Sequence, residues 1–76
     1  VKWWTISVTS YGAFEYFGTR EQADERAKQK AKWEGGRATV REATTEAAAA
    51  AAGHIRWRKE NAYPLERWER EALSLN

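Results

Sequence analysis

His54 is the only histidine in a chain of 76 residues, and there is no cysteine. A zinc site needs several His or Cys ligands at short spacing, and a covalent nucleophile needs a base beside it. Neither pattern is present, so His54 is expected to be an ordinary surface or packing side chain, with no metal bound. Ser7, Ser10 and Ser74 lie outside the G-x-S-x-G setting that a strained nucleophile turn requires. Glu42 and Glu46 are four apart but straddle the junction of a predicted strand and a predicted helix, so they form no acid/base pair. Glu34-Gly35-Gly36-Arg37 is glycine-rich, yet it follows a helical segment, whereas a phosphate-cradling loop precedes one. The residues predict no enzyme, no catalytic residue and no cofactor.

Binding chemistry is better represented. Arg56-Trp57-Arg58-Lys59 clusters an indole with cations, and the chain holds five tryptophans. Trp and Arg are enriched at interface hot spots. Trp3, Trp57 and Trp68 are hard to place in one core of this size. Arg56, Trp57, Arg58 and Trp68 are therefore the expected contact residues for a protein partner, with Trp3 behind them. The helices expected over 46–76 could also pair with a second copy, burying Leu65, Trp68 and Leu75. The rival is weak single-stranded nucleic-acid binding, by rings stacking on bases beside the 56–59 cations or on the sheet. The basic run from Arg26 to Lys32 supports it less, because Asp24, Glu25 and Glu34 flank the run. A third reading is a structural subunit of a larger particle.

Those residues must be positioned by regular elements. Lys2–Thr9 and Ala13–Phe17 flank Ser10-Tyr11-Gly12 and read as a hairpin, rich in aromatic and β-branched residues. Alternation puts Trp4, Ile6 and Val8 on the core face and Trp3, Thr5, Ser7 and Thr9 on the other. Phe14 and Tyr16 alternate with Glu15, which should point to solvent. Thr19-Arg20-Glu21-Gln22 has the form of a capping box, and Gly35-Gly36 supplies a stop, giving a helix over about 20–34. Its stripe is Ala23, Ala27 and Ala31, closed by Trp33 or Glu34. Such a smooth ridge lets the helix lie close to a sheet whose own side chains are large.

Residues 37–43 alternate again as a third strand, with Ala38 and Val40 inward. If that strand lies parallel to its neighbour, the connection is a right-handed crossover. Thr45 is the expected cap of a helix over about 46–60, carried by six alanines despite Gly53. A last helix begins at Pro64, with Leu65, Trp68, Ala72 and Leu75 on one face and Glu66/Arg70 and Arg67/Glu71 as i,i+4 pairs.

The expected fold is α+β: a small three-stranded sheet (β-β-α-β) packed on one helix, followed by two C-terminal helices. Residues 1–43 form the ββαβ core; 44–76 are either part of the same domain or an interaction arm. A chain this short buries only about 60% of its unfolded surface, so each large side chain counts. Thirteen basic and eleven acidic residues leave a net charge of +2, without the lopsided field of a dedicated phosphate-backbone binder. No apolar run is long enough for a membrane span, and no signal-like apolar region stands in the sequence. Without cysteine, a cytoplasmic location is expected.

The stretch Thr5–Thr19, followed by Ala31-Lys32-Trp33-Glu34-Gly35-Gly36, resembles small uncharacterised proteins of tailed bacteriophages. The likeness covers about the first 43 residues and brings no catalytic residues. It implies an accessory protein made in the cytoplasm of an infected host, a class that includes inhibitors of host defence or transcription.

Overall fold

Alternation along Lys2–Val8 and Gly12–Gly18 builds strands β1 and β2, and the computed structural model describes residues 1–74. Helix α1 (Arg20–Glu34), strand β3 (Ala38–Glu42), helix α2 (Thr45–Glu60) and helix α3 (Arg67–Ser74) follow. The fold is α+β as expected. Its one sheet has the order β2-β1-β3, and both neighbouring pairs are antiparallel. The parallel crossover does not form between β1 and β3. A 15-residue helix returns the chain about 22 Å, to the end where β2 began. β3 must then run in the direction of β2, which is antiparallel to the central strand.

Register places Tyr16 opposite Trp4, Phe14 opposite Ile6, and Val40 opposite Ile6 from the other side. These side chains share the face that α1 covers. Trp4, Ile6, Val8 and Tyr16 form one buried cluster with Ala23 and Ala27, and Phe14, Ala38 and Val40 pack around it. Trp4 Nε1–H donates to the Gly18 carbonyl at 2.9 Å, so the largest core ring buries no orphan donor. Trp33 does not close the stripe; it is 85% exposed. A step of six from Ala27 turns the helix by about 600°, well off the alanine ridge.

Both ends of α1 are fixed locally. Gln22 N–H donates to Thr19 Oγ1 at 3.1 Å, and Thr19 N–H donates to Gln22 Oε1 at 2.9 Å, so the capping box is complete. At the other end Gly35 N–H donates to Ala31 O. The hairpin turn latches onto this end. Arg37 N–H donates to Thr9 Oγ1, and Ser10 Oγ–H donates to the Glu34 and Gly35 carbonyls. Gly36 sits at φ +94° with its backbone against Thr9 and Ser10, where a Cβ would collide.

The second face carries Trp3, Thr5 and Phe17. Thr5 and Phe17 are buried, and α2 and α3 are the helices that contact β1 and β2 there. Glu15 is half-buried on this face rather than free in solvent, because Thr5 Oγ1–H donates to its carboxylate at 3.1 Å. The α2 cap is Thr44, one residue earlier than expected, with Ala47 N–H donating to its Oγ1. Gly53 does not interrupt the helix. At the far end Tyr63 N–H donates to Arg58 O and Ala62 N–H to Lys59 O, the paired bonds of a left-handed helix stop. Ala62 occupies the left-handed position, at φ +60°.

α3 starts three residues after Pro64. Glu66 is its cap, because Glu66 N–H donates to Glu69 Oε1 at 2.8 Å, while the Pro64 carbonyl is held by Arg58. The Arg67–Glu71 pair forms, but Glu66 bonds Arg26 instead of Arg70. Leu75, assigned to the same apolar face, lies outside the described residues. Among the described residues no helix is long and apolar enough to cross a membrane.

Two substitutions test this packing. Ala27→Leu should overpack the helix–sheet contact and cost about 1–3 kcal/mol in urea unfolding. Ala62→Gly should relieve the left-handed strain and stabilise by about 1 kcal/mol, read as a melting temperature raised by about 4–8 °C.

Candidate functional site

Helical spacing brings His54 and Trp57 to one side of α2, three residues apart. Their rings lie 6.2 Å apart and nearly parallel, at 14°. The helix stop at Asn61–Ala62 then turns the chain so that Tyr63 also stacks on Trp57, at 5.5 Å and 28°. Asn61 Nδ2–H donates to Trp57 O at 2.8 Å, fixing the turn beneath the rings. Trp57 and Tyr63 are 51% and 53% exposed. Arg56 is exposed on the same helix. The result is a three-ring ladder at the surface, held by backbone geometry rather than by a partner.

The other expected contact residues are placed differently. Arg58 is part of the fold: its Nη1 donates to Glu69 Oε2 at 2.5 Å and its Nη2 to the Pro64 carbonyl at 2.8 Å. Glu69 is only 5% exposed, so the pair joins α2 to α3 in a partly dry setting. Removing one member of a buried pair strands the other's charge, at about 3 kcal/mol or more; a partly exposed guanidinium lowers that figure. Trp68 is half-buried, 4.8 Å from the Tyr16 ring and 6.3 Å from Trp3. Trp3 packs edge-on against Phe17 at 5.3 Å. The structure therefore joins Trp3 to Trp68 under α3 and leaves Arg56 and Trp57 outward.

Tyr16 belongs to the α1 face and Trp3 to the other, so Trp68 wraps the outer edge of β2. Arg26 reaches over both Tyr16 and Trp68, at 5.4 and 5.9 Å from the ring centres. Its Nη2 donates to Glu66 Oε1 at 2.7 Å. That bond holds the Glu66 carboxyl below its ordinary value of 4.5, against partial burial, which pulls upward; the Arg26 charge, the Trp68 indole and the Arg58 charge add to the lowering. Trp68 Nε1–H is buried without a hydrogen bond of ordinary geometry.

Sequence reasoning missed His54 and Tyr63 as members of the ladder. The i,i+3 spacing of His54 and Trp57 was a usable signal; Tyr63 depends on a helix stop without glycine and gave none. Among the described residues no group of three His, Asp or Glu is close enough to hold a metal ion.

Because the Glu66 pKa is lowered on folding, the Arg26–Glu66 tie contributes fully above the ordinary carboxyl value and is lost as pH falls through the folded one. Carboxyl NMR titration should place Glu66 below its ordinary value in the native chain and move it upward in Arg26→Met. No family model, curated protein or solved structure matches this chain.

Proposed function

We propose that the chain is a non-enzymatic protein–protein interaction module that grips its partner through the Trp57 ladder, with Arg56 beside it. The observation that carries this is the exposed His54–Trp57–Tyr63 stack. A half-exposed indole stacked with two neighbouring rings is already ordered, so binding costs it little side-chain entropy. Its exposed edge, together with the exposed parts of the neighbouring rings, then supplies the large contact area typical of hot spots. Trp3, Arg58 and Trp68 serve this surface indirectly, by fixing α3 and the end of α2.

The resemblance of residues 5–19 and 31–36 to phage accessory proteins favours a host factor as the partner. On that reading the module acts in the host cytoplasm and modulates defence or transcription. A second reading, weak single-stranded nucleic-acid binding, is favoured by Arg56 and Lys59, both exposed on the same helix as the ladder. The two readings separate by salt: a nucleic-acid complex weakens steeply between low and physiological salt as counterions return.

Trp57→Ala combined with Tyr63→Ala should leave the melting temperature within a few degrees and weaken a purified partner's binding by about 30-fold or more in calorimetry. Unchanged affinity in this double variant would remove the ladder from the interface.

A further inference from the structure

β2 has one unpaired edge, and its hydrogen-bonding pattern can be worked out. Ala43 N–H donates to Trp3 O, and Thr9 N–H donates to Arg37 O. The odd-numbered residues of β1 therefore turn their backbone groups to β3, and the even-numbered ones turn theirs to β2. In the observed register, Gly12, Phe14, Tyr16 and Gly18 of β2 take up those even-numbered bonds. Ala13, Glu15 and Phe17 must point their N–H and C=O groups outward. Among the described residues, neither Ala13 nor Glu15 makes a backbone hydrogen bond beyond the sheet. The Phe17 end lies beside Trp68 and α3, but the Ala13–Glu15 stretch opens into a groove of about 670 Å³.

The groove has two unlike walls. Arg26 and Lys30 of α1 stand on the Phe14 side, and Ala50, Ala51 and Ile55 of α2 stand on the Glu15 side. Tyr11 closes one end and Trp68 the other. Two of its cations are answered inside it, Arg26 by Glu66 and Arg58 by Glu69. Lys30 is different: its ion-pair partner Glu34 does not line the groove, and its ammonium sits 3.9 Å from the centre of the Tyr11 ring.

We propose that this edge takes an extended segment of a partner protein as a fourth strand, with a carboxylate of the segment facing Lys30. The exposed backbone of Ala13 and Glu15 supplies two donors and two acceptors, as strand addition requires. The incoming residue beside Phe14 faces α1 and meets Lys30; an acidic side chain complements it. Its neighbours beside Ala13 and Glu15 face the alanine wall, where small contours leave room for branched apolar side chains. Helices on both sides recess the edge, so a lone strand enters and the edge of a second sheet does not. β3 also has a free edge, but it is five residues long and carries Arg41 and Glu42, features that discourage pairing.

The inference rests on the reading of the chain as an interaction module but uses a different surface, so the two fail separately. The probe is the capped peptide Thr-Val-Glu-Val-Glu-Val-Thr, titrated into the ¹⁵N-labelled full chain. Saturable shifts are expected at the Ala13, Glu15, Lys30 and Ala51 amides, with hydrogen exchange at Ala13 and Glu15 slowed about tenfold or more. Ala13→Pro removes an outward N–H that β1 does not use, so it should fold and bind about tenfold more weakly or worse. Lys30→Glu should reverse the preference toward the same peptide with lysine in place of glutamate, whether or not the proline variant folds. Trp57→Ala should leave the titration intact. Absence of shifts up to about 5 mM peptide, which corresponds to binding weaker than about 3 kcal/mol, would overturn the proposal. So would shifts centred on Trp57 and Tyr63, or changes at Ala13 and Glu15 that track protein concentration without peptide and so reveal a second copy.

Discussion

The contact between an alanine-lined helix and a ring-bearing sheet governs this molecule. Ala23 and Ala27 are buried against Trp4, Ile6, Val8 and Tyr16, and no larger side chain of α1 shares that cluster. A helix packed on a sheet normally shares bulk between the two layers. Here the bulk sits almost wholly on the sheet, so α1 can approach closely and the rings fill what space remains. The arrangement fixes much else. With α1 held close, the α1–β3 link can be latched by the hairpin turn through Thr9 and Ser10. The opposite face, which carries Trp3, Thr5 and Phe17, is left to be finished by the C-terminal helices.

That second layer is assembled by polar groups as much as by apolar ones. Glu69 occupies the position where an apolar residue would extend the α3 stripe, yet it is buried, tied to Arg58 and to the start of its own helix. Arg26 performs a related task from α1, lying over two rings while holding Glu66. Two arginines from two different helices thus fasten α3, and each spans an edge that apolar contacts alone would leave open. Cations with planar, forked donors suit this work better than lysine would, since they stack and bond at once.

The first half of the chain was readable because its signals are local. A capping box, a double glycine and strict alternation each act within a few residues, and α1 and the two faces of β1 follow from them. The direction of the β1–β3 pairing is not a local property; it depends on how far α1 carries the chain. The start of α3 was misread because proline at 64 is a common first helical residue, whereas the real cap comes from Glu69 reaching back. Trp33 or Glu34 is expected to close the stripe, but helical rotation turns Trp33 outward and Glu34 is exposed as well. Arg56 and Trp57 were reached from composition, and Arg58 was grouped with them because sequence adjacency does not reveal that its guanidinium turns toward α3.

Trp68 closes one end of the groove and wraps the β2 edge while its indole N–H goes without a hydrogen bond. An eight-residue helix has no stability of its own in water, so α3 exists only while docked. Its undocking is consequently a single concerted event: ring, cap and both arginine ties release together. Arg67–Ser74 forms a breathing unit whose departure bares the Phe17 end of β2 while the alanine-backed sheet stays shut.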